Sequence, residues 1–130
     1  MKNRIVIFIP CLNEQATIGK VIKKIKNLVP QALIVVYDND STDDTVNVAK
    51  SYKALVRKVY EKGKGNVVKK MFEDNYDANC YVMIDGDDTY DVSKIKDMIN
   101  YIVSEKFDMV IGKRIHINSN AYRRGHLVGN

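Results

Sequence analysis

The chain has 130 residues, 45% of them hydrophobic and 28% charged, a balance that suits one globular domain and excludes both disorder and a pair of ordinary domains. No apolar run approaches the roughly 18 residues that a membrane span needs, and the stretch Ile5 to Ile9 is too short for a secretory signal core, so the chain reads as not secreted. The net charge of +5 admits an anionic small molecule, anionic lipid or nucleic acid as partner, but the acidic residues gather in two knots, Asp38 to Asp44 and Asp85 to Asp91, which suit a metal site and not nucleic acid.

In chain order, Arg4 to Ile9 is a run of β-branched and aromatic residues expected to form a buried strand that Pro10 ends, with Asn13 capping the helix that follows. That helix carries Ile18, Val21, Ile22, Ile25, Leu28 and Val29 at helical spacing and closes at Pro30. Ala32 to Tyr37 reads as a second strand, and Ser41 or Thr42 as the cap of a helix through Val46, Val48 and Ala49. Ala54 to Tyr60 predicts a third strand, Gly63 to Gly65 a turn, and Val67, Val68, Met71 and Phe72 the inner face of a helix. Cys80 to Ile84 predicts a fourth strand, Val92 to Val103 a helix capped by Asp91, and Asp108 to Gly112 a short fifth strand. Strand and helix alternate through short connections, which predicts an α/β fold with a mostly parallel sheet and helices on both faces. From Lys113 to Asn130 the chain turns basic and polar and stops without a closing element.

In such sheets ligands bind beyond the carboxyl ends of the strands, and the unusual residues stand there. Asp85-Gly86-Asp87-Asp88 is the sharpest. Residues two apart in an extended segment point the same way, so Asp85 and Asp87 are expected to face one ligand. A divalent cation with hard oxygen ligands relieves the repulsion of such a pair, and Gly86 permits a close approach. Asp38-Asn39-Asp40-Ser41 offers acceptors for a base N–H or a ribose hydroxyl, or caps a helix through Ser41 with Asp44. Gly63-Lys64-Gly65-Asn66 precedes a helix and can hold a phosphate, although it is not a P-loop. Cys11 and Cys80 fit neither a disulfide framework nor a zinc site and read as free thiols of a reducing compartment. Cys11 is not read as a nucleophile, since neither His116 nor His126 can be placed beside it. A receiver domain is disfavoured because Pro10-Cys11 and Glu61-Lys62 stand where its acidic residues belong, and dinucleotide binding because no Gly-X-Gly-X-X-Gly follows the first strand.

Five stretches together, Ile9 to Glu14, Asp38 to Thr42, Gly63 to Asn66, Asp85 to Tyr90 and Met109 to Arg114, resemble the family 2 glycosyltransferases of GT-A fold, in family order and spacing. The subgroup they look most like transfers sugars to polyprenyl phosphates of the dolichol-phosphate type. The resemblance implies a nucleotide-sugar-binding domain over residues 1–112, with residues 113–130 beginning an acceptor half that a longer chain, a protein partner or a second copy would supply. It implies Pro10, Leu12 and Glu14 along the nucleotide, Asp38, Asn39 and Asp40 at base and ribose, and Lys64 and Arg114 toward the donor phosphates. Asp85, Gly86 and Asp87 would be the family's Asp-X-Asp signature at the nucleotide sugar, Asp85 toward the nucleotide and Asp87 on the metal, with Asp85, Asp87 and Thr89 as the residues around Mg2+ or Mn2+. The implied donor is a UDP- or GDP-linked sugar. The implied acceptor is a polyprenyl phosphate or a cell-envelope glycan, met in the cytoplasm or at the cytoplasmic face of the membrane. No residue stands out as the catalytic base. A non-catalytic nucleotide-sugar-binding subunit is the alternative that these residues also allow.

Overall fold

The computed structural model describes residues 4–113. They alternate without exception: β1 (Ile5–Cys11), α1 (Ile18–Leu28), β2 (Leu33–Asp38), α2 (Thr45–Ser51), β3 (Leu55–Lys58), α3 (Lys64–Glu73), β4 (Cys80–Met83) and α4 (Ile95–Val103). The four strands form one sheet in the order β3-β2-β1-β4, and every pairing is parallel.

The period-two alternation of β1 assigns its side chains to two cores. Ile5, Ile7, Ile9 and Cys11 pack with Ile18, Val21, Ile22 and Ile25 of α1, Ala49 of α2 and Ile95 and Ile99 of α4. Val6 and Phe8 face the other way and meet Val35 and Tyr37 of β2 with Val67 and Met71 of α3. Helices therefore cover both faces, three on one and α3 on the other. The central position of β1, buried from both sides, explains why its sequence is a continuous apolar run and not an alternating one.

Several local expectations give way. Pro10 does not end β1: it lies within the strand, which runs on to Cys11 opposite Asp38. Asn13 does not cap α1, which starts after Thr17, and neither Ser41 nor Thr42 caps α2, which starts after Asp44. Asp91 does not cap α4 either; that helix begins after Lys94, and the Asp91 carboxylate accepts from the Ser93 N–H in a local turn. Asn13 instead bonds Ser41 and Thr42 across the β1–α1 and β2–α2 loops, and Ser41 also bonds Asp38. Phe72, expected on the inner face of α3, is 71% exposed, while Val67 and Met71, with partly buried Val68, pack over the sheet. The expected strand at Asp108 to Gly112 is absent. Met109 and Ile111 are about three-quarters exposed, and Gly112 lies beside Met98 of α4, away from the ladder. An apolar run becomes a strand only where a neighbouring edge takes up its backbone groups.

Candidate active site

All four strands point their carboxyl ends to one edge. Register makes this edge level: Cys11 pairs with Asp38, and Asp38 with Lys58. The loops leaving it turn sharply, through left-handed Asn13 (φ 54°), Asp40 (φ 63°) and Asp88 (φ 61°). Asn and Asp are the non-glycine residues that best tolerate this conformation.

The Asp85 to Asp88 knot divides by partner. Asp85 accepts from the ammonium of Lys64 at 2.7 Å. Asp87 accepts from both the backbone N–H and the hydroxyl of Thr89, at 3.1 and 2.7 Å. Asp88 turns to α1 and pairs with Lys20 at 3.2 Å and Lys24 at 2.9 Å. Glu14 joins Asp85 and Asp87 from the β1–α1 loop. Its carboxyl is pushed above the ordinary range, first by burial and then by the negative charge of Asp87, with a smaller part from Asp85, against a lowering hydrogen bond from Thr17. Lys64 loses some basicity to burial, yet its hydrogen bond to Asp85 and the charges of Asp85, Tyr90 and Asp87 hold it above its usual value.

Gly86 does not stand open to a ligand. A Cβ there would lie 2.5 Å from the Cys11 sulfur and 3.3 Å from Cδ1 of Ile18, and the Gly86 carbonyl accepts from Thr17 Oγ1 at 2.7 Å. The close approach that the glycine permits is that of the protein's own core. Cys11, under this floor, has its thiol pushed far up by burial and by the charges of Glu14, Asp38, Asp85 and Asp87. A thiol so protonated is no nucleophile. Cys11 and Cys80 are both buried and free.

The second knot is structural in its first two residues. Asp38 is fully buried, and its carboxylate accepts from the Ser41 hydroxyl and, at 3.1 Å, from the Ser41 N–H. Asn39 donates to the carbonyls of Val59 and Glu61, both at 2.8 Å, and accepts from the Gly63 N–H at 3.0 Å. Lys62 bonds the carbonyls of Asn39 and Asp40, each at 3.2 Å. The β3–α3 loop, and Lys64 with it, thus hangs from the end of β2. The β1–α1 loop is laced to the β2–α2 loop in the same way. The Asn13 side-chain carbonyl accepts from the Thr42 N–H at 2.9 Å, the Asn13 N–H donates to Ser41 Oγ, and the Glu14 N–H donates to Thr45 Oγ1.

The structure brings Glu14, Lys64, Asp85 and Asp87 to one place, while at the same carboxyl edge Pro10 and Asp40 are half-buried and Leu12 is exposed. Arg114 lies outside the described residues, as do His116 and His126. The roles of Asn13, Thr17, Ser41, Thr45 and Lys62 as loop organisers emerge only from the fold. Their only signal in the sequence was a small or polar residue beside a strand end.

Among the described residues no group of three or more His, Cys, Asp or Glu is arranged to hold a metal by itself. The donor set suits a different arrangement. Two half-buried carboxylates, Asp85 and Asp87, offer hard oxygens beside a third, Glu14, whose charge they oppose. A magnesium-like cation is characteristically held by one or two carboxylates and completes its shell from water and substrate phosphates. The residues present fit such a group.

Residues 6–128 match the model of glycosyl transferase family 2. Among curated proteins, the chain is 50% identical over 123 residues to Protein RfbJ of Shigella flexneri, which covers 94% of this chain and 95% of that protein. It is 34% identical over 125 residues to Glycosyltransferase AglJ of Haloferax volcanii, covering 95% of this chain but 41% of that protein. Among solved structures it is similar to glucosyl-3-phosphoglycerate synthase from Mycobacterium tuberculosis in complex with Mn2+, UDP-glucose and phosphoglyceric acid. The TM-score is 0.68 at 26% identity, over 78% of this chain and 40% of that one. The chain thus spans nearly all of RfbJ and about two-fifths of the other two.

Proposed function

The chain belongs to glycosyl transferase family 2, and on that footing we propose that its carboxyl-edge cleft binds a nucleoside-diphosphate sugar with a divalent cation and passes the sugar to an acceptor oxygen. The observation that carries this reading is the meeting of Asp85, Asp87 and Glu14 beside the ammonium of Lys64 at the carboxyl edge of a parallel sheet. Asp85 and Asp87 hold the cation, and Thr89 orients Asp87 through its hydroxyl. Such a cation stabilises negative charge on a departing diphosphate. Pro10, Leu12 and Glu14 line the nucleotide, and Asp40 faces it from the second loop. Asp38 and Asn39 serve the nucleotide indirectly, because their polar atoms already hold Ser41 and the β3–α3 loop. Lys64 approaches the diphosphate, a role that the family resemblance also gives to Arg114.

The acceptor we favour is a lipid phosphate at the cytoplasmic face of an anionic membrane. The charge of +5 supports such a surface. Among the described residues no helix is long and apolar enough to cross a membrane. An acceptor phosphate is already an anion and attacks without a general base, whereas an alcohol would need one within hydrogen-bond reach.

A thermal-unfolding panel of UDP- and GDP-sugars, each with Mn2+, Mg2+ or chelator, tests the reading. Ligand at about ten times its dissociation constant adds about 1.4 kcal/mol to stability, a rise of several degrees in a domain of this size. We expect a metal-dependent rise with one nucleotide. Asp87→Asn should weaken that binding tenfold or more, about 1.4 kcal/mol. A folded wild-type chain that no donor stabilises, or a folded Asp87→Asn chain that binds as wild type does, overturns the assignment.

A further inference from the structure

We propose that Lys64 is a resident counter-cation of the carboxylate pair: an incoming divalent cation has to displace it from Asp85, and it then passes to the diphosphate of the donor, so that cation and donor bind cooperatively. This rests on the donor-site reading above and adds the order of partners through which one side chain moves.

The first support is the distribution of cations. Lys20 and Lys24 are committed to Asp88 on the α1 side of the knot. Lys64 is the cation that the described residues pair with Asp85, at 2.7 Å. A single ammonium compensates only part of the charge of Asp85, Asp87 and Glu14. A divalent cation held by Asp85 and Asp87 would repel the ammonium at close range. The two therefore compete, and the cation alone binds against that competition.

The second support is mechanical. Lys64 is the first residue of α3, next to Gly63 at φ 120°. Its root is fixed: Gly63 is bonded to Asn39, Lys62 to the carbonyls of Asn39 and Asp40, and the Asn66 side chain to the Lys62 carbonyl at 3.0 Å. Its side chain is 56% exposed. A fixed root with a free, four-carbon stem lets the ammonium leave one anion for another without moving the backbone. A diphosphate beside the cation supplies the second anion. Each ligand then relieves a cost of binding the other, and the coupling is reciprocal.

The test uses the full chain. Mn2+ binding is followed by the electron paramagnetic resonance of the free ion, and UDP and GDP binding by calorimetry, each with and without the other ligand. Lys64→Met should bind Mn2+ alone about fivefold tighter or more, a coupling in the ordinary range, and bind the nucleotide more weakly in saturating Mn2+. Lys64→Gln, which removes the charge but keeps a polar head, should behave likewise. Lys64→Arg should keep the weak Mn2+ binding of the wild type, and so should Lys69→Met, a charge change on the same helix at a residue paired with Glu73. Folded Lys64→Met and Lys64→Gln chains whose affinity for Mn2+ alone is unchanged or lower overturn the inference. If the wild type binds Mn2+ with nucleotide in that case, the donor-site reading stands. A wild type that binds neither overturns both.

Discussion

At Gly86 a single hydrogen atom decides whether the floor of the cleft closes. A methyl group there would lie 2.5 Å from the Cys11 sulfur and 3.3 Å from Ile18 Cδ1, and Ile18 is fully buried. Gly86→Ala is therefore expected to destabilise the fold by about 1–3 kcal/mol, the usual cost of overpacking. Cys11→Ala in the same chain removes the atom in the way. The double variant should lose less stability than the two single losses add up to, as read by urea unfolding. Additive losses would mean that the glycine answers to something other than the sulfur. Asp38 and Asn39 teach a related lesson. As residue types they are good ligands for a nucleotide, but their polar atoms face Ser41, Val59, Glu61 and Gly63. A buried carboxylate without such partners would be costly.

At the scale of elements, α3 carries the cleft lysine at one end and is held at the other by Asp74. That carboxylate accepts from Arg57 at 3.0 and 3.1 Å and from the Tyr37 hydroxyl at 2.9 Å, and pairs with Lys70 at 3.3 Å. It thus ties α3 to both β2 and β3. Chiefly through Arg57, and then through Tyr37 and Lys70, these bonds outweigh burial and lower its pKa from 3.8 to about 2. The unfolded chain therefore binds the proton more readily than the folded one. The stabilisation is complete above the unfolded value of 3.8 and is lost as pH falls toward about 2. Asp74→Asn should cost about 1.5–3 kcal/mol at neutral pH, the range for hydrogen bonds to a charged group. It should also flatten the fall in stability across that acid window, followed by urea unfolding with circular dichroism. A variant that falls as steeply as wild type there would place the acid sensitivity elsewhere.

Across the whole molecule the sheet order β3-β2-β1-β4 makes β1 and β2 the inner strands, β1 paired on both sides at Val6, Ile7 and Phe8 and β2 at Val35 to Asp38, with β1 buried between two cores. β3 pairs on one side within the described residues, and three of its four residues are exposed. Opening free energies follow burial and bonding, so the amides of Ile7, Phe8 and Ile9, with those of Val35 and Val36, should exchange most slowly with deuterium. Those of β3 and α4 should exchange orders of magnitude faster. Equal protection in β3 and β1 would show that the sheet opens only as one unit.

The alternation of strands and helices, their order, and the edge at which the acid knots gather were all legible in the chain itself. Each follows from short-range patterns: continuous apolar runs for doubly covered strands, a helical repeat for α1, and polar residues wherever a strand ends. The expected fifth strand at Asp108 to Gly112 failed because an apolar run has no ladder without a neighbour, and that is a through-space fact. The tertiary structure also decided which polar groups face the cleft. Asn13 meets Thr42 across 29 positions, Glu14 meets Thr45 across 31 and Thr17 meets Gly86 across 69. No local pattern encodes such partners. Whether a carboxylate is spent on the fold, like Asp38, or held in reserve by one lysine, like Asp85, depends on which loops the parallel register brings together.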